Sequence, residues 1–219
     1  MMDKRQGEIT VVLGPMYSGK TTEAIRLTNR YRLTNRVCIS IKHQSDHRYE
    51  EEGRDAVNSS PITHDGKHFS PDGKSLRSYR FGKVMEAFDD IATLRGVDVV
   101  CIDEGHFFED LAPACEMLVR RGIDVIISAL MGSFKRKMFP SIVQILPCAE
   151  KVVFARALCE YCHRDASFTH KTTDSVDVIE VGGKELYRPC CRDCFDRPQL
   201  PFSPRSTSPA SQGNGTPIQ

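Results

Sequence analysis

E-I-T-V-V-L-G-P-M-Y-S-G-K-T-T, residues 8–22, decides how the rest of the chain is read. Ile9, Val11, Val12 and Leu13 make an apolar, β-branched run that stops at Gly14-Pro15, and after Lys20 the residues suit a helix. The order is strand, glycine-rich turn, helix. Within the turn, Gly14, Pro15, Met16, Tyr17, Ser18, Gly19, Lys20 and Thr21 fit the phosphate-loop pattern G-x-x-x-x-G-K-T. The glycines let backbone N–H groups curl round phosphate oxygens, Lys20 reaches the β and γ phosphates, and the Thr21 hydroxyl can sit on Mg²⁺. The following helix adds the positive end of its dipole. The pattern implies a bound nucleoside triphosphate.

Working outward, residues 22–33 are expected to form the first helix, with Ala24, Ile25, Leu27, Thr28 and Tyr31 towards a sheet. Residues 36–42 (R-V-C-I-S-I-K) read as a second strand, too continuously apolar to have one face in water. Residues 43–78 turn polar and are expected to be an excursion, with a possible hairpin at Asp65-Gly66. Helical spacing returns over 79–94, with Val84, Ala87, Phe88, Ile91 and Leu94 on one face. V-D-V-V-C-I-D-E (97–104) is then a buried strand ending in two carboxylates, 108–121 a helix, 123–130 a strand, and Val152-Val153-Phe154 the last sheet strand. Strands alternating with helices at short connections predict an α/β fold, a parallel doubly wound sheet flanked by helices, with ligands at the carboxyl ends of the strands.

The chain of 219 residues is 40% hydrophobic, enough for one α/β core with a small appendage. The expected organisation is a nucleotide-binding domain over 1–155, a zinc-binding lobe over 156–197 and a disordered tail over 198–219, where Pro, Ser, Gly and Gln dominate. With 30 basic against 29 acidic residues the net charge is +1, so no long-range field draws the protein to nucleic acid or to anionic lipid. The first residues hold no apolar signal segment, and no run approaches bilayer length, so a soluble, cytoplasmic protein without membrane partners is expected. In that reducing setting, clustered cysteines among the nine point to metal and away from disulfides.

Three constellations carry chemistry. Asp103 and Glu104 end an apolar strand, where one carboxylate can serve Mg²⁺ and the other face the acceptor, because adjacent strand residues point to opposite faces. A carboxylate beside an acceptor hydroxyl can take its proton while Lys20, the metal and backbone dipoles stabilise the moving phosphoryl group. Gly105 would let the chain turn sharply, and Phe107-Phe108 offer an apolar wall or core packing. Next, residues 133–140 (S-F-K-R-K-M-F-P) lie just past a strand end and read as a substrate lid in preference to a plain solvated loop. Last, the pairs Cys159-x-x-Cys162 and Cys191-x-x-Cys194 have the spacing that grips one tetrahedral ion. Four thiolates leave no open position, so the expected structural Zn²⁺ staples a lobe and does not catalyse. Cys190 could displace Cys191 as ligand. Residues 176–187 between the pairs read either as a simple hairpin or as a loop closing over a substrate.

The order G-P-M-Y-S-G-K-T-T, T-H-D, C-I-D-E-G-H-F-F, A-L-M-G-S-F-K-R-K-M-F, C-E-Y-C, V-G-G and Y-R-P-C-C-R-D-C resembles the type II, cellular and poxviral, thymidine kinase family from about Gly7 to Cys194. The resemblance implies a RecA-like phosphate-loop sheet with a zinc lobe carrying a lasso loop. It implies transfer of the γ-phosphate of ATP to the 5′-hydroxyl of thymidine or deoxyuridine. It implies Glu104 as general base, Gly14 to Thr21 on the phosphates and Asp103 supporting Mg²⁺. Phe107 and Leu130 would line the base pocket, with Thr169 near the thymine methyl. Backbone groups around Val178 and Gly182, with Tyr187, would bind the nucleoside from the lasso, and Cys159, Cys162, Cys191 and Cys194 would hold Zn²⁺. A homotetramer and inhibition by thymidine triphosphate (dTTP) are implied too. Departures from the usual pattern are His106 for glutamine, Met131 for an acid, Met138 for proline and Gly66 for arginine. With the phosphate loop, Glu104 and the cysteines intact, retained activity is expected. The alternatives are a degenerate paralogue that binds nucleotide without efficient transfer and a phosphate-loop ATPase with a nucleic-acid-binding zinc module, which the balanced charge disfavours.

Overall fold

The structure, a computed structural model, describes residues 5–45, 67–69, 75–89, 94–172 and 186–197. The Asp65-Gly66 hairpin, Val178, Gly182 and the tail from Pro198 lie outside the described residues.

A seven-stranded sheet runs in the order β3-β4-β2-β5-β6-β1-β7. Its strands are β1 (Ile9–Gly14), β2 (Cys38–His43), β3 (Lys67–Phe69), β4 (Ser75–Phe81), β5 (Val99–Ile102), β6 (Asp124–Leu130) and β7 (Lys151–Phe154). Six are mutually parallel; β3 pairs antiparallel with β4 at one edge, the exception to the all-parallel expectation. The sheet sorts its side chains by pleat. Ile9, Val11 and Leu13 of β1 join Ile39, Ile41, Val100, Ile102, Val125 and Ile127 against helices α3 (Leu111–Arg120) and α4 (Pro140–Ile145). Val12, Val99, Cys101 and Ile126 face the other way, onto Ala24 and Leu27 of α1 (Lys20–Arg32). Cover on both faces is why β1, β2, β5 and β6 read as unbroken apolar runs.

One helix expectation is corrected. Residues 79–81 belong to β4, parallel to β2, with Tyr79 and Phe81 stacked at 6.2 Å two residues apart, as a period of two dictates. Helical conformation begins only at α2 (Glu86–Asp89). What starts it is polar: Glu86 accepts the Gly82 and Lys83 N–H groups, and Asp110 accepts those of Val84 and Met85 at 3.0 and 2.8 Å. Asp110 precedes α3 yet makes no side-chain cap on it, serving α2 instead. Asp110→Ala would strand two partly buried donors, so a stability loss of about 1–3 kcal/mol is expected, read as a Tm lower by about 2–10 °C. An unchanged Tm would show that water replaces the carboxylate there.

Two small antiparallel pairs follow the sheet: β8 (Ala157–Leu158) with β9 (Asp165–Ala166), and β10 (Phe168–Lys171) with β11 (Tyr187–Cys190), then the short α5 (Arg192–Phe195). Their own core is Ala157, Cys159, Ala166, Cys190 and Cys191. Among the described residues no helix is long and apolar enough to cross a membrane.

Candidate active site

The carboxyl end of β1 opens into the phosphate loop. A Cβ on Gly14 would lie 2.5 Å from the Ala155 carbonyl oxygen and from Ser18 Oγ, so only glycine fits. Tyr17 and Gly19 take positive φ (61° and 77°), which turns successive N–H groups inward. Lys20 is buried and folds its ammonium back onto the Pro15 carbonyl at 2.8 Å. The N-terminus of α1, 13 residues long, points its dipole into the loop.

Asp103 sits where the neighbouring elements converge. Its Oδ1 accepts from Thr21 Oγ1 at 2.9 Å, from the Glu104 N–H at 3.1 Å and from Ser128 Oγ; its Oδ2 faces Lys42 Nζ at 3.4 Å. The Thr21 bond ties the phosphate loop to the end of β5 across one intervening strand, β6.

The division between Asp103 and Glu104 has a different cause from strand alternation. β5 ends at Ile102, and Glu104 takes a left-handed conformation (φ 51°, ψ 44°) before a 3₁₀ turn over Gly105–Phe107. The sharp turn therefore belongs to Glu104; Gly105 is required because a Cβ there would meet Ile127 Cγ2 at 2.6 Å. Of the two phenylalanines, Phe108 is core and fully buried, while Phe107 stays partly exposed beside the His43 ring at 5.6 Å.

Leu130 ends β6 opposite Gly14, so it too stands at the mouth of the sheet. Thr169 comes from β10, and its Oγ1 accepts the Met16 N–H at 3.1 Å, joining the cysteine lobe to the phosphate loop. Between them lies a cavity of about 110 Å³, walled by Gly14-Pro15, Met131, Arg136 and Phe168-Thr169. Tyr187 is buried in β11 opposite Lys171, one residue pair beyond Thr169 on that face.

The expected lid is a tight hairpin closed by a Gly132–Met138 bridge and the Ser133 N–H to Lys137 carbonyl bond. Arg136 at its tip lies 4.6 Å over the Phe195 ring, 5.9 Å from that of Phe168, and 3.2 Å from Asp196 Oδ1. That grip is worth about 1–2 kcal/mol in all and ties the hairpin to α5.

Cys159, Cys162, Cys191 and Cys194 bring their sulfurs within 4.8 Å of one another, and Cys162 and Cys191 approach to 3.6 Å. A tetrahedral zinc site with bonds near 2.3 Å needs sulfurs about 3.8 Å apart, so the set fits that ion. Arg164 lowers the Cys162 thiol to about 6, first through its backbone N–H and then its guanidinium, while burial pushes Cys194 up. Cys190 lies outside the cluster; its thiol donates to the Cys191 carbonyl at 3.3 Å, and burial pushes it up to about 12.

Sequence reading missed Lys42, Ser128 and Arg136. Lys42 is a lysine within the buried run of β2 (C-I-S-I-K-H) and Ser128 a hydroxyl inside β6, which is the available signal for both. Arg136 gave none, since its partners Phe168, Phe195 and Asp196 come from distant parts of the chain.

The sequence pattern of the family described as thymidine kinase matches residues 7–195. The thymidine kinase of Amsacta moorei entomopoxvirus is 36% identical over 190 residues, covering 86% of this chain and 97% of the relative. Those of fowlpox virus (strain NVSL) and vaccinia virus (strain Western Reserve) are 38% and 34% identical over 189 residues, with the same coverage.

Proposed function

This chain belongs to the thymidine kinase family, and from that premise we propose that it transfers the γ-phosphate of ATP to the 5′-hydroxyl of thymidine, and of deoxyuridine, with Glu104 as general base. The observation that carries the reading is the 2.9 Å Thr21–Asp103 bond, which brings the end of β5, and with it Glu104, onto the phosphate loop. Lys20 and backbone N–H groups of the Gly14 to Thr21 loop, Pro15 having none and that of Met16 being taken by Thr169, hold the phosphates and take up charge on the moving group. Thr21 and Asp103 would hold Mg²⁺, which would supply positive charge to offset that on the phosphate oxygens. Glu104 accepts the proton of the attacking hydroxyl. Phe107, Leu130, Thr169, Val178, Gly182 and Tyr187 seat the nucleoside. Cys159, Cys162, Cys191 and Cys194 would hold Zn²⁺, which would staple the 156–197 lobe internally beside the 1–155 domain. A cytoplasmic homotetramer inhibited by dTTP completes the proposal, resting on family resemblance.

The test is product formation from thymidine and from deoxycytidine with Mg-ATP and zinc-loaded protein. Monophosphate from thymidine, with deoxycytidine at least about 100-fold poorer, is expected, since a site built to bond one base edge leaves groups unpaired with another. A folded protein that binds ATP and yields no product would establish the degenerate paralogue in its place.

A further inference from the structure

His106 has no role in the reaction as described, yet its ring touches the group that does. It is buried within the 3₁₀ turn that follows Glu104. Its ring packs beside those of Phe107 and Phe139, at centroid distances of 4.3 and 4.8 Å, and its carbonyl accepts the Ser141 hydroxyl of α4 at 3.1 Å. Two aromatic neighbours and its own backbone thus hold the ring. In the structure its Nδ1 accepts the Leu130 N–H at 3.3 Å, and Glu104 Oε2 stands 3.4 Å from the same atom as a contact outside hydrogen-bond geometry.

One imidazole nitrogen offers one in-plane site. Carrying a proton, Nδ1 donates to the Glu104 carboxylate; without it, Nδ1 accepts the Leu130 N–H. The same atom therefore lies between the end of β6 and the carboxylate. Glu104 needs such a fixture more than most residues, because its left-handed backbone belongs to no regular element that would aim the side chain. A proton acceptor about 1 Å out of place loses much of its effect on rate.

We infer that His106 is a positioning residue for Glu104: carrying a proton at Nδ1, it exchanges the Leu130 N–H for the adjacent Oε2 and holds the carboxylate aimed at the acceptor hydroxyl. The inference rests on the proposed role of Glu104 as base. His106 touches neither substrate nor phosphate in this account, so its effect belongs in turnover and not in nucleoside affinity.

The experiment compares H106L, H106N and E104Q in zinc-loaded full-length protein, reading kcat and thymidine KM separately. Leucine fills the slot beside the two phenylalanines but cannot donate; the asparagine amide reaches the position of Nδ1 and can. H106L should lose about 10- to 50-fold in kcat with KM within about 3-fold, and H106N should recover kcat to within about 3-fold of wild type. Wild-type kcat in H106L would overturn the inference, as would an H106N protein no faster than H106L, since packing alone would then explain the ring. Should H106L fail to fold, H106M, also apolar and more adaptable, takes its place with the same two readings. E104Q turning over like wild type would instead sink the base assignment itself, a separate failure.

Discussion

Glu104→Gln is expected to lower kcat for thymidine by about 10²- to 10⁴-fold, with both KM values changed by less than about 3-fold. The amide keeps the shape of the carboxylate and can occupy the same left-handed residue ahead of the 3₁₀ turn, so the fold has no reason to move. What it loses is the ability to take a proton at neutral pH. Phosphoryl transfer passes through a loose transition state in which positioning and charge stabilisation dominate, and in the proposed mechanism those fall to Lys20, the loop N–H groups and Asp103. The expected loss is therefore bounded: the remaining machinery still binds and orients both substrates. The measurement is steady-state kinetics beside a thermal unfolding curve. A fall smaller than about 10-fold with an unchanged Tm would mean that solvent takes the proton and that Glu104 serves only the turn.

How much of this could be read beforehand differs by the kind of signal. The phosphate loop was legible because its pattern is local: the Ser18 hydroxyl crowds Gly14 and a positive φ falls on Gly19 within one turn, although Gly14 is also pressed by the distant Ala155 carbonyl. The cysteine cluster was legible for the same reason, each pair being gripped by one short turn, although only the folded chain could choose Cys191 over Cys190. β4 was not legible. Tyr79 and Phe81 share a strand face, but Val84, Ala87 and Phe88 immediately after them have helical spacing, and the two periods merge in the sequence. Asp103 and Glu104 were placed rightly at a strand end and explained wrongly, since the strand stops before both and a single residue's φ separates them. Lys42, Ser128 and Arg136 depend on contacts between distant segments, which no local pattern encodes.

Loss of the metal should reach the phosphate loop although no cysteine touches it. Cys191→Ser removes one of four clustered sulfurs, and a structural site of this kind contributes apparent free energies of about 10–16 kcal/mol in small domains, far more than the lobe's short strands supply. Among the described residues the lobe's buried core is Ala157, Cys159, Ala166, Cys190 and Cys191, with Tyr161 and Phe195 packed against it, so without the ion it has little to hold it. Two contacts would go with it: the Thr169 hydroxyl on the Met16 N–H, and the Arg136 grip on Phe195 and Asp196 that ties the hairpin down. The expected result for C191S is less than about 0.2 zinc per chain and at least a 10-fold loss of kcat/KM for thymidine, with ATP binding to the phosphate loop weakened less. C190S serves as the counterpart. Its thiol is buried and bonded to a backbone carbonyl outside the cluster, so serine should cost about 1–2 kcal/mol of stability while leaving one zinc per chain. Metal content by elemental analysis separates the two. Full zinc in C191S and none in C190S would exchange the ligands, and full activity in a zinc-free C191S protein would show that the lobe holds its place on the phosphate loop without the ion.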